Sequence, residues 1–203
     1  MRNFIDELKK QRWDDHRYYH HSRVNQSLHL LSAVSFLTAY AALLTSHAAA
    51  AALIGWLPAM WSRQIGHFFF EPKGYDAVNG ATHEYKEEIK VGYNLRRKVV
   101  LLSIWGLTPV ILYADPTLFG VFAHASRAQF WTHLCETWLV LGFAALLFRT
   151  VQLFFKQDVV AGLAWFTKIL TDPFHDIKLY HRAPLLLLRG ERVDPMKDVA
   201  HLA

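Results

Sequence analysis

Apolar runs and charged stretches alternate along this chain. Four segments are apolar: about Leu28 to Leu44, Ala48 to Trp61, Val99 to Tyr113, and Leu134 to Phe155, the last interrupted by Glu136 and Arg149. Each is near or below the roughly 20 residues that cross a bilayer as a helix. Taken singly, each also fits a core helix of a soluble bundle, so the polar stretches between them decide. If the four segments cross a membrane in order, residues 1–27, 62–98 and 156–203 share one side. The turn "TSHA" (Thr45 to Ala48) and the loop from Ala114 to His133 take the other. Arg63, Lys73, Lys86, Lys90, Arg96, Arg97 and Lys98 all fall on the first side, and only Arg127 on the second. Cytoplasmic loops carry such an excess of Lys and Arg, whereas a soluble bundle has no reason to sort charge by alternate loops.

The expected fold is therefore all-α, an integral membrane bundle of about four transmembrane helices with both termini cytoplasmic. The membrane is a bacterial inner membrane or the endoplasmic reticulum. Arg149, inside the fourth segment, is expected to snorkel towards the cytoplasmic side. After Phe155, the amphipathic stretch "KQDVVAGLAWFTKIL" carries Trp165 and reads as a helix lying at the interface. The remaining tail folds back on the cytoplasmic face. The 203 residues form one membrane domain, with a cytoplasmic segment 1–27, a core 28–155 and the interfacial helix and tail 156–203.

Composition agrees. Charged residues are 19% of the chain, below the roughly one quarter of a soluble domain, and the mean hydropathy is +0.11. The net charge of +5 follows from topology, so it lends no support to a nucleic-acid partner. Cys135 is the single cysteine, which excludes an intramolecular disulfide and a multi-cysteine zinc site; it reads as a buried inert thiol. The N-terminal stretch lacks the apolar core of a cleavable signal peptide.

Twelve histidines are present, and the topology sorts them. His47, His124 and His133 go to the outer side. His29 stands at the cytoplasmic start of the first helix, and His67 just after the cytoplasmic end of the second. A tight hairpin brings those two ends together. In "HHSRVNQSLHL", Asn25 and His29 are four apart and share a helical face, as do His67 and Glu71 in "GHFFFE". His20 precedes Asn25 by five residues. Neutral imidazole is the commonest transition-metal ligand, and a bound histidine usually hands its other N–H to a carboxylate or carbonyl. Asn25 and Glu71 are placed for that supporting role, and Glu71 is also able to ligate. His83, in "ATHEYKEE", is either a fourth ligand or a solvated residue. His175 and His181 are even candidates, and His16, His21 and His201 read as surface residues. Phe68, Phe69 and Phe70 form an anchor or the wall of an acyl-chain pocket.

The pattern His20-x4-Asn25-x3-His29, followed by Gln64 and Gly66-His67-x3-Glu71, resembles the 2-hydroxy fatty acid dioxygenase family. These are small multi-helix membrane proteins, whose fungal members act in phytosphingosine α-oxidation. The resemblance covers roughly residues 16–112. The chain departs from it in "PKGYDAVNGATHEY", where a Pro-Ala step is expected, and beyond Lys156. It implies Fe(II) held by histidines and oxygen-dependent removal of one carbon from a 2-hydroxy fatty acid. The partners are then that acid, oxygen and membrane lipid, with Arg63 or Arg23 steering the carboxylate. Two rivals are weaker. A di-iron hydroxylase or desaturase resembles its kin in several dense His-x3-His and His-x2-His-His boxes, whereas this chain holds a single such spacing, His16-x3-His20. A histidine-rich membrane protein that binds haem would want its histidines deeper in the apolar segments.

Overall fold

The computed structural model describes residues 3–71, 73–122 and 126–196. Helix α1 (Phe4–Tyr19) begins at Asn3, whose side chain accepts from the Ile5 amide at 3.1 Å. It carries Asp6 and Glu7 in its first turn and His16 and Arg17 in its last, the order that the helix dipole favours. Helix α2 (Arg23–Leu44) follows after a short linker holding His20. A turn of three residues, with Ser46 in the left-handed region at φ 64°, reverses the chain.

The return arm is one unbroken helical run made of α3 (Ala48–Ile54), a π-helical turn (Gly55–Met60) and α4 (Trp61–Phe69). Pro58 lies inside the π turn; it has no N–H to give the preceding turn, so the α ladder cannot continue through it. Side chains satisfy the carbonyls there. Ser62 Oγ donates to the Pro58 carbonyl at 2.6 Å, and Ser32 Oγ on α2 donates to the Ala59 carbonyl at 2.7 Å. The second bond pins the two arms of the hairpin to each other.

Among the described residues five further α-helices follow: α5 (His83–Ile89), α6 (Leu95–Ala114), α7 (Phe130–Lys156), α8 (Val159–Tyr180) and α9 (Ala183–Leu188). The described residues contain no strand, only isolated bridges, so the fold is all-α. Helices α2, α6 and α7 are each long and apolar enough to cross a membrane. Their apolar side chains face outward: Leu31 and Val34 on α2, Ile104, Leu107 and Val110 on α6, Val140, Phe143 and Leu147 on α7 are all exposed. A contiguous apolar exterior of this kind is compatible with a lipid surround. The second expected segment differs from the other three, because the π turn divides it into shorter pieces.

Helix α8 does more than the amphipathic pattern implied. It packs against α1, α2 and α7, and its buried residues include Trp165, Lys168, Asp172, Asp176 and Tyr180. These recur every three or four positions, so they share one face. That face is polar, and it points into the bundle. A Cβ on Gly162 would lie 2.5 Å from the Phe154 ring and 2.9 Å from the Thr150 carbonyl; α7 and α8 meet closely for want of a side chain there. The tail does fold back: Asp194 accepts from Arg23 at 2.8 Å and from Gln26 at 2.7 Å, at the start of α2. Arg149 donates to the Val91 and Gly92 carbonyls in the loop before α6.

A separate apolar core is formed by Trp56 of the π turn, Trp105 and Leu112 of α6, and Leu134 and Trp138 of α7. Ring centroids lie 4.6 Å apart for Trp56 and Trp105 and 5.3 Å for Trp56 and Trp138. Cys135, next in sequence to Leu134 of that core, is buried and unbridged.

Candidate metal centre

His20, His29 and His67 converge. Their rings are 4.1 Å (His20–His29), 5.0 Å (His29–His67) and 5.3 Å (His20–His67) apart, centroid to centroid. One nitrogen from each falls within 4.8 Å of the others, and all three residues are buried. The hairpin brings His29 and His67 together as their positions required. His20 arrives from the α1–α2 linker, and that linker is held from below. Asn25 Nδ2 donates to the Tyr19 carbonyl at 2.7 Å, and Gln26 Nε2 to the His20 carbonyl at 2.9 Å.

The outward nitrogens fix the ring orientations. His20 Nδ1 lies 2.9 Å from the Asp15 carbonyl, and His67 Nδ1 lies 2.7 Å from Glu71 Oε2. A carbonyl and a carboxylate only accept, so both Nδ1 atoms carry the proton. Burial holds the His20 imidazole well below its ordinary pKa, with the neighbouring His29 adding to the effect, so His20 is neutral. Its Nε2 then presents a lone pair inward, and that of His67 does the same. His29 Nδ1 faces Asp176 Oδ2 at 3.6 Å, again a carboxylate outside the cluster. His20 Nε2 and His29 Nε2 are 3.0 Å apart. Two nitrogens each about 2.1 Å from one ion and at right angles about it would be about 3.0 Å apart. The donor set and its spacing fit a metal ion, and carboxylates or carbonyls behind the rings are the usual support for metal-bound histidine.

Glu71 stands behind His67 as a supporting carboxylate and is itself held by Lys90 Nζ at 2.9 Å. Asn25 braces the linker, and its Oδ1 is buried without a partner against Gly66. A Cβ on Gly66 would come within 2.1 Å of that oxygen, so glycine lets α4 approach α2 closely enough for the histidines to meet. His83 is not one of the converging ligands; it opens α5, half-buried. His175 is half-buried and His181 exposed, and neither joins the cluster. His16 and His21 correct the surface reading, because both are buried. His16 Nδ1 pairs with the Tyr180 hydroxyl at 2.9 Å, and His21 lies 3.4 Å from Asp76 and within reach of the Arg17 carbonyl. His124 and His201 lie outside the described residues.

Behind the histidines lies an ion network that the sequence did not announce. Arg63 donates to Asp176 at 3.1 Å and Asp172 at 3.2 Å, and Lys168 donates to Asp172 at 2.8 Å and Asp15 at 3.1 Å. Arg63 and Arg23, the expected steering residues, are therefore already engaged with carboxylates of the chain. Burial raises the Asp176 carboxyl, against the pull of Arg63 and Lys168. Tyr180, its ring 5.9 Å from His20 and 6.3 Å from His29, walls the cluster, and burial followed by the Asp176 charge pushes its hydroxyl well up.

A cavity of about 240 Å³ opens from His67 into the bundle. Arg63, Lys98, Lys168 and Asp172 border its polar part, while Phe36, Leu101, Leu102, Trp105, Leu146 and Ile169 line the rest. Phe68, Phe69 and Phe70 are absent from its wall, and the last two are exposed. The arrangement can hold an ion at the head of an apolar chamber. Compared with protein-family models, with curated proteins and with solved structures, the chain matches none.

Proposed function

We propose that this protein is an Fe(II)-dependent dioxygenase of 2-hydroxy fatty acids, crossing a membrane four times with its histidine end on the cytoplasmic side. One observation carries the reading: three buried histidines converge, each offering a ring nitrogen, and one of them, His67, borders a cavity whose wall joins charged side chains to an apolar part. The histidines that meet are those in the pattern by which the chain resembles that family, and the helical run 48–69 serves as the second crossing.

His20, His29 and His67 would hold the iron, which, when bound, supplies the redox chemistry that lets oxygen react with a closed-shell substrate. The chain does the rest. Glu71 and the Asp15 carbonyl keep the His67 and His20 rings turned inward, and Asp176 faces the His29 ring. The apolar wall takes the acyl chain and excludes water, each buried methylene contributing about 0.8 kcal/mol. The histidine end keeps the carboxylate among polar groups. The balance closes without further reagents: a 2-hydroxy acid and one oxygen molecule give the acid one carbon shorter, carbon dioxide and water. The C1–C2 bond breaks, and the two carbons together give up the four electrons that oxygen takes.

Purified protein loaded with Fe(II), given a 2-hydroxy fatty acid anaerobically and then oxygen, should yield the shortened acid without 2-oxoglutarate, NADH or a reductase. The matching acid lacking the 2-hydroxyl should remain unconverted. A need for reductant, or no consumption of any 2-hydroxy acid by iron-loaded protein, would end the assignment.

A further inference from the structure

The charged side chains that line the cavity are almost all matched within the chain. Arg63 bridges Asp172 and Asp176, Lys168 bridges Asp15 and Asp172, Lys90 bridges Glu71 and Glu87, and Asp14 holds Arg17. Lys98 lines the same cavity, yet no carboxylate among the described residues pairs with it. Its place in the helix makes this more telling. Lys98 follows the Asn94 cap of α6 by four residues, and the first turn of α6 holds no acidic residue. A cation at that end is opposed by the helix dipole, so Lys98 does not serve the helix it stands on.

Gln64 makes a second unmet demand on the same space. It is buried, lines the cavity, and its Oε1 has no donor in the chain, while its Nε2 reaches only the Met60 sulfur at 3.4 Å. Leaving a buried polar atom unpaired costs about 1–3 kcal/mol. A ligand that answers both residues brings an anion for Lys98 and a donor hydroxyl for Gln64, and the apolar wall asks for a tail.

We propose that Lys98 binds the anionic head of an amphiphile whose tail occupies this cavity, and so selects a carboxylate over an uncharged head of the same size. The inference rests on the dioxygenase reading only for the ligand's identity, the carboxylate being that of the 2-hydroxy fatty acid. Arg63 and Arg23 are excluded from the task because the chain already neutralises both.

The test is binding without turnover. The full chain in neutral detergent, loaded with redox-inert zinc, is titrated with 2-hydroxypalmitate and with the diol in which the carboxylate becomes a hydroxymethyl group. Wild type should prefer the acid by about tenfold to a hundredfold, the size of one charge-assisted hydrogen bond. Lys98→Met should weaken the acid to the level of the diol and leave the diol unchanged, and Lys98→Arg should retain most of the preference. Equal binding of both ligands by wild type, binding of neither, or full acid affinity in Lys98→Met would each overturn the proposal. So would a loss of both ligands together, which marks a role in folding. Failure of the dioxygenase reading looks different: the acid preference stays dependent on Lys98 while iron-loaded protein gives no shortened acid.

Discussion

Two buried regions border the same cavity, through His67 and through Trp105, and they are made of different materials. Around His20, His29 and His67, helices α1, α2, α4 and α8 bury Lys168, Asp172, Asp176 and Asn25. Trp56, Trp105, Leu112, Leu134 and Trp138, from the π turn, α6 and α7, form an apolar cluster, and the Trp138 indole donates to the Trp105 carbonyl at 3.2 Å. Exchanging a buried ion network for well-packed apolar residues is often neutral or stabilising. Stability alone therefore gives no reason for the histidine region to be as it is. Here the network borders the three converging rings, and its Asp176 faces His29 Nδ1 at 3.6 Å. The tryptophan region holds the helices; the histidine region holds an arrangement.

The sharpest way to break that contrast is to remove a donor. His29→Ala and His67→Ala should each abolish bound metal, measured by elemental analysis of purified protein, while helicity and tryptophan fluorescence persist. Full metal occupancy in both variants would mean that the convergence has another purpose.

Gly66→Ala should come next. The added Cβ would stand 2.1 Å from Asn25 Oδ1 and 3.5 Å from the His29 ring. Asn25 cannot simply turn aside, because it is fully buried and donates to the Tyr19 carbonyl. The helices must part instead, and metal affinity should fall by about a hundredfold, comparable to the loss of a residue that orients a ligand. Asn25→Ala in the same chain should restore part of it, a coupling that only contacting residues show. Gly106→Ala on α6 meets nothing within 4 Å and should leave affinity unchanged. Equal effects at the two glycines would erase the distinction between the regions.

How much of this was legible follows from how local each signal is. The meeting of His29 and His67 needed only a hairpin, and Glu71 behind His67 needed only a spacing of four; both were open to reading. Asp176 and Tyr180 were not, since their partners lie on α1, α2 and α4 and depend on where α8 packs. Yet Lys168, Asp172, Asp176 and Tyr180 do recur every four residues. Only Lys168 falls in the stretch that reads as an interfacial helix, while Asp172, Asp176 and Tyr180 fall in what reads as tail; amphipathicity, moreover, says that two faces differ and not which way each points. In a bundle whose exterior is apolar, the polar face turns inward. The same inversion hid the burial of His16 and His21, which sit in a charged stretch with no apolar run to mark α1 as a packed helix.

Smaller effects sharpen the picture within the histidine region. Glu71→Gln keeps size and shape but exchanges a pure acceptor for an amide, and Asp176→Asn does the same behind His29. Metal affinity should drop by about 10–100-fold in each, with occupancy recovered at higher metal concentration. Complete loss would promote Glu71 from support to ligand.

Trp138→Ala should have the least effect on the metal and the clearest effect elsewhere. The truncation removes a ring that packs on Trp56 and Trp105 and deletes the bond to the Trp105 carbonyl. In water such a change costs about 3–5 kcal/mol. Where lipid surrounds the helices, the transfer contribution largely disappears, because lipid tails are as apolar as the protein interior. What remains is lost packing and one hydrogen bond, which places the expected cost at or below the low end of that range. Thermal or denaturant unfolding in detergent should register it, while metal affinity measured on the folded protein stays within about twofold. If affinity fell as it does in Glu71→Gln, the tryptophan core would be positioning α6 and α7 for the metal centre, and the division of labour drawn here between the two regions would fail.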